Sequence, residues 1–192
     1  ISETEFMNGK LEPTNSPYAM AKLTSIELGD AMNKQYGHEV INLMPTNLYG
    51  PNDNFSEVDS HVIPGLMFRM EKAKKENNPT FSIWGSGEPL REFLHVDDLS
   101  NAIKFIVENE INDNLINIGS GDEVSIKSIA ETIKKVSDYK GNLSFDTTKP
   151  DGNPRKLLDS SKILKLGWKP EIPLNDGLKT TYKWFKENIE II

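Results

Sequence analysis

Apolar residues along this chain alternate between two spacings. From Tyr18 to Tyr36 they recur three and four apart, which predicts a helix, and Gly37 stands where a left-handed residue would close it. Asn15-Ser16-Pro17 supplies capping side chains and then a proline suited to the first helical position. The next run, Val40-Ile41-Asn42-Leu43-Met44, is short, starts on β-branched residues and stops at Pro45, which predicts a buried strand. After a polar loop containing Asn52, Asp53 and Asn54, a helix is expected from His61 or Pro64 to Lys75, with Leu66, Met67 and Met70 facing inward.

The alternation continues. Phe81-Ser82-Ile83-Trp84 predicts a strand closed by Gly85-Ser86-Gly87, and Arg91 to Val96 a short extended segment. Asp97 or Asp98 would cap a helix from Leu99 to Glu108. Leu115-Ile116-Asn117-Ile118 predicts another strand, followed by Gly119-Ser120-Gly121. Ser125 would then cap a helix whose Ile126, Ile129, Ala130, Ile133 and Val136 keep helical spacing. Leu143 to Phe145 is a short strand, Lys149 to Pro154 a shaped turn, and Ser160 to Leu166 a brief helix ending at Gly167. The last helix, Leu174 to Ile189, is expected to bury Leu178, Tyr182, Phe185 and Ile189. Alternating strands and helices predict an α/β sheet with helical cover, and the crowding of short elements after Phe81 predicts an appended lobe.

Composition narrows the class. Hydrophobic content of 36% and charged content of 27% fit a soluble globular chain, and a formal charge of −7 argues against nucleic-acid binding through a broad basic surface. Without cysteine there is neither a disulfide framework nor a thiolate zinc site, and the three histidines lack paired ligand spacing, so no metal is required. No apolar run approaches the roughly 20 residues of a membrane span, which makes a cytoplasmic protein the default expectation. Ile1 to Phe6 reads as the middle of a surface loop, so the chain is expected to be entered partway.

Tyr18 and Lys22 carry the strongest candidate chemistry. Four apart, they share a helix face, and an ammonium beside a phenol favours its ionised form and suits it to acid–base work. Chance also produces such pairs on many helices. In α/β sheets ligands gather beyond the carboxyl ends of strands, so Pro45 to Pro51 is either a ligand-contacting loop or a rigid proline-bounded connection. Alternatives stay open elsewhere. His61 is either functional or a helix-start residue, Trp84 either a ligand platform or packing, and Arg91-Glu92 either functional or a surface pair.

Taken together, Tyr18-x3-Lys22, Pro45 to Phe55, His61-Val62-Ile63-Pro64, Trp84-Gly85-Ser86-Gly87, Arg91 to Asp98, Lys149 to Asp159 and Leu166-Gly167-Trp168 resemble the GDP-L-fucose synthase family of the extended short-chain dehydrogenase/reductase superfamily. The resemblance spans essentially the whole chain. It implies a partial doubly wound Rossmann-like sheet with a smaller C-terminal α/β substrate-binding lobe. Residues 1–60 would be the later part of the NADP-binding domain and 61–192 mostly the lobe, with about 81–118 returning to the sheet. It implies NADP(H) as cofactor, a GDP-linked 4-keto-6-deoxy sugar as substrate, no nucleic-acid or membrane partner, and a homodimer when complete. The implied reaction is 3,5-epimerisation of GDP-4-dehydro-6-deoxy-D-mannose and then reduction at C4.

By the same resemblance Tyr18 is the general acid toward the C4 oxygen, and Lys22 holds the nicotinamide ribose and favours the tyrosinate. Pro45, Thr46, Asn47 and Leu48 lie along the nicotinamide, with His61 also counted at the cofactor. His61 is the acid that reprotonates the sugar, and Arg69, Trp84, Arg91, Asp151 and Lys156 bind the GDP-sugar. The glycine-rich phosphate fingerprint, the serine that assists the tyrosine and the cysteine that serves as epimerisation base all lie upstream in the family. None occurs here. The 192 residues alone are therefore expected to be inactive and unstable, with an exposed sheet edge. Another nucleotide-sugar epimerase, reductase or dehydratase and a non-catalytic GDP-sugar-binding module are the competing expectations.

Overall fold

In the computed structural model, which describes residues 1–190, helices separate strands that pair mostly in parallel. Two 3-10 turns, Glu3–Glu5 and Pro13–Asn15, lead into α1 (Ser16–Tyr36), β1 (Asn42–Pro45), β2 (Asn47–Tyr49), α2 (Val62–Lys75) and β3 (Thr80–Trp84). Then come β4 (Leu90–His95), α3 (Val96–Glu108), β5 (Leu115–Ile118), β6 (Glu123–Ser125), α4 (Ile126–Ser137), β7 (Asn142–Asp146), β8 (Arg155–Lys156), α5 (Ser161–Lys165) and α6 (Leu174–Asn188). β1 runs parallel to β5, β2 to β4 and β3 to β7. β4 joins the two halves of the molecule: Phe93 to His95 pair with β2, while Leu90 to Glu92 pair with antiparallel β6, and Leu90 and Arg91 also with parallel β8.

Two apolar cores result. One gathers Leu94, Ala102, Ile106, Ile116, Ile118, Ile163 and Trp168, with Ile41, Leu43 and Leu48 against them; this is the Rossmann-like side. The other packs α2, α4 and α6 on β3 through Met67, Met70, Phe81, Ile83, Ile129, Ile133, Leu178 and Phe185. Its helices are amphipathic, so each can bury one stripe. Among the described residues no helix is long and apolar enough to cross a membrane.

Several local expectations need correction. β2 lies where only a loop was expected; its three residues are held by pairing with β4 rather than by an apolar run of their own. α3 starts at Val96 and is capped by His95, whose Nδ1 accepts from the Asp97 N–H at 3.2 Å; Asp97 and Asp98 are not its caps. Asp98 is instead buried and accepts from the N–H groups of Glu171 (2.9 Å) and Ile172 (3.1 Å). On α6, Leu178 and Phe185 are buried, but Tyr182 and Ile189 are only half-buried, and the Tyr182 hydroxyl donates to Glu71 of α2. α1 closes at Gly37 as expected (φ 69°), yet only Gly29 of its 21 residues is buried.

Candidate functional site

A cleft of about 750 Å³ opens beyond the carboxyl ends of β1 and β2, between the first turn of α1 and the start of α2. Helix geometry puts Tyr18 there. Pro17 occupies the opening turn of α1, and Tyr18 follows at the cleft wall, 61% exposed. Lys22 stands one turn further on, with its ammonium over the face of the Tyr18 ring, 5.4 Å from the centroid. The two groups are adjacent as the spacing requires, but Lys22 itself does not line the cleft.

The opposite wall is Pro45, Thr46, Asn47 and Leu48. It is stitched to neighbouring strands: the Thr46 N–H donates to Ile118 O at 2.9 Å, and the Thr46 hydroxyl and Asn47 amide both donate to Glu92 O, at 3.3 and 2.8 Å. Position 50 has no room for a side chain, since a Cβ there would come within 2.6 Å of Val96 Cγ1. His61 precedes α2 with no capping hydrogen bond from its side chain and lines the cleft, as does Lys156 from β8. One cleft therefore holds a phenol, an imidazole and an ammonium, groups able to exchange protons with a ligand and to meet an anion.

The remaining predicted residues lie outside that wall. Arg69 donates to Gly65 O and places its guanidinium 5.5 Å from the Phe81 ring centroid, and burial lowers its affinity for the proton. Arg91 donates from Nη1 to Leu90 O and Asn153 O, both at 2.7 Å. Asp151 accepts from the Ser86 N–H (2.8 Å) and hydroxyl (2.7 Å), and the hydroxyl bond chiefly holds its carboxyl below the usual range. This clasp demands glycine at position 85, where φ is +80° and a Cβ would sit 2.2 Å from Asp151 Oδ1. Trp84, at the end of β3 beside the clasp, is 69% exposed.

Asn15, Asn52, Asp53, Phe93 and Val96 also line the cleft, and nothing in their spacing announced it. Glu92 corrects a sequence reading: it is no surface partner of Arg91 but is wholly buried, accepting from the N–H groups of Gly121 and Leu158.

The model of the NAD dependent epimerase/dehydratase family matches residues 1–119. Among curated proteins the chain is 50% identical over 189 residues to the probable GDP-L-fucose synthase 1 of Oryza sativa subsp. japonica, covering 98% of this chain and 58% of that protein. It is 49% identical over 197 residues to the GDP-L-fucose synthase of Escherichia coli strain K12, covering 98% and 61%. The crystal structure of a GDP-L-fucose synthetase from Naegleria fowleri bound to NADP superposes with a TM-score of 0.92 at 34% identity, over 98% of this chain and 61% of that one. The chain thus spans about three-fifths of the length of these relatives.

Proposed function

The chain belongs to the NAD dependent epimerase/dehydratase family, and from that premise we propose that, within a protein of its relatives' full length, it serves a GDP-L-fucose synthase that epimerises GDP-4-dehydro-6-deoxy-D-mannose at C3 and C5 and reduces its C4 ketone. The convergence of Tyr18, Thr46, Asn47, His61 and Lys156 on one cleft carries this reading. The half-identical relatives of that name support it.

NADPH, when bound, supplies the hydride for C4. The residues present fit its nicotinamide end: the Pro45 to Leu48 wall is held fast by Ile118 and Glu92, and Lys22 lies one helical turn from Tyr18, suited to ribose hydroxyls. Tyr18 gives its hydroxyl proton to the C4 oxygen as that carbon is reduced. The same hydroxyl steadies the oxygen of the enolate formed when a neighbouring carbon loses its proton. Inversion takes a proton from one face and returns one to the other, so it needs a base as well as an acid; His61 supplies only the acid that returns the proton. Lys156 meets the diphosphate with its ammonium, while Arg69, Trp84, Arg91 and Asp151 form the nucleotide side; a guanidinium suits phosphate through paired N–H bonds.

The proposal extends to organisation. Residues 1–60 form the later part of the cofactor domain and 61–192 mostly the substrate lobe, with β4 to β5 returning to the Rossmann-like core and β3 packing in the second core. The exposed Met20, Leu28 and Tyr36 of α1 support a homodimer through that helix, and the charge of −7 speaks against nucleic-acid partners; a cytoplasmic location is part of the same proposal. Following NADPH oxidation with GDP-, UDP- and dTDP-linked 4-keto-6-deoxy sugars tests the assignment. Turnover confined to the GDP sugar is expected of the full-length protein that carries this chain, and none is expected of the 192 residues alone. A preference for another nucleotide would overturn it, and GDP affinity without turnover would leave a binding module.

A further inference from the structure

Glu92 carries a carboxylate with no exposed surface, and its two oxygens reach two separate segments of chain. Oε1 accepts from the Gly121 N–H at 2.8 Å, in the turn after β5, and Oε2 accepts from the Leu158 N–H at 3.2 Å, two residues beyond Lys156. The approach is close enough to demand glycine at 119, where a Cβ would fall 2.2 Å from Oε1. Burying a carboxylate is costly unless donors meet it, and here peptide N–H groups do so.

The position of Lys156 depends on such ties. β8 is only two residues long, aligned with Leu90 and Arg91 of β4, so its own ladder holds it weakly. It is pinned on one side by Arg155, which grips Glu123 with three hydrogen bonds of 2.7 to 2.9 Å, and on the other by Glu92 through Leu158. The main chain of Glu92 meanwhile receives Thr46 and Asn47 from the other wall of the cleft. One residue is therefore bonded by its carbonyl to one wall of the cleft and by its carboxylate to Leu158, two residues beyond the Lys156 that lines the cleft from β8.

We propose that Glu92 is a positioning residue that holds Lys156 at the cleft and thereby sets affinity for the GDP-linked sugar. The inference rests on the GDP-sugar reading above. It also explains why a carboxylate stands here: glutamine has the same shape but would point an NH2 donor at one of two peptide donors, so one tie must open.

The test uses Glu92→Gln, Lys156→Ala and the double variant, each made in the full-length protein that carries this chain. Glu92→Gln should raise the KM for the GDP-sugar about tenfold, the size of one lost hydrogen bond of this kind, with kcat and the KM for NADPH little changed. The double variant should bind no worse than Lys156→Ala alone, because the side chain acts through Lys156. Additive losses, or parallel falls in kcat and in affinity for both ligands, would show a merely structural residue and overturn the proposal. If the full-length wild-type protein neither binds nor turns over the GDP-sugar, the activity reading fails by itself. Amide exchange then decides the tie: Glu92→Gln should accelerate exchange at Leu158 or Gly121, and unchanged exchange at both sinks it.

Discussion

Two kinds of polar residue do different work in this chain. Tyr18 is exposed at the cleft, whereas Glu92, Asp98 and Glu71 are buried and already satisfied, the first two by peptide N–H groups and Glu71 by Lys186 and Tyr182. Burial alone would raise the Glu71 carboxyl, but the hydrogen bonds from Lys186 and Tyr182 outweigh it and hold it below the usual range. If Tyr18 is the proton donor proposed above, Tyr18→Phe in the full-length protein keeps the ring beneath Lys22 and deletes only the hydroxyl, so kcat should fall about 10²- to 10⁴-fold with little change in KM, as steady-state assay of the variant would show. His95 makes the fold sensitive to pH. Burial lowers its pKa from the ordinary 6.5, against the opposing pull of Asp97 and Asp98. The unfolded chain therefore takes up the proton first, and stability present above about pH 6.5 is lost as pH falls toward the lowered value. Melting temperature should drop between about pH 7.5 and about pH 5.5, and less so in His95→Gln; equal slopes would assign the effect to other groups.

Secondary structure was legible wherever its cause is local. Ser125 accepts from the Ser128 N–H at 3.1 Å, and Ile129, Ala130 and Ile133 are buried behind it, so α4 lies where capping and periodicity placed it. β2 and β8 escaped notice because three and two residues carry no period; both exist through β4. α6 shows packing overruling propensity. Alanine at Gly177 would gain about 1 kcal/mol of helix propensity, but its Cβ would lie 2.1 Å from the hydroxyl of buried Tyr49 and 3.1 Å from His95 Cδ2. Overpacking of that kind costs about 1–3 kcal/mol, so Gly177→Ala should be destabilising in denaturant titration, and a stabilised variant would contradict the packing.

Across the whole molecule burial is uneven. α4 buries Ile129, Ala130, Ile133 and Ser137, whereas α1, nearly twice as long, buries only Gly29 and leaves Met20 and Leu28 more than half exposed. Native-state exchange at α1 amides should therefore run at least about tenfold faster than at α4. Equal protection would mean that another surface, such as a second copy, covers the helix. The sequence by itself determined what the backbone repeats within a turn or two: the adjacency of Tyr18 and Lys22, the close at Gly37, and the apolar stripes of α2 and α4. Tertiary structure alone decided that Lys156 shares a cleft with Tyr18, that Asp151 clasps Ser86, and that Glu92 is buried between two loops. Those placements follow from the pairing of β4 with β2, β6 and β8, and register between distant strands leaves no periodic trace in the residues it joins.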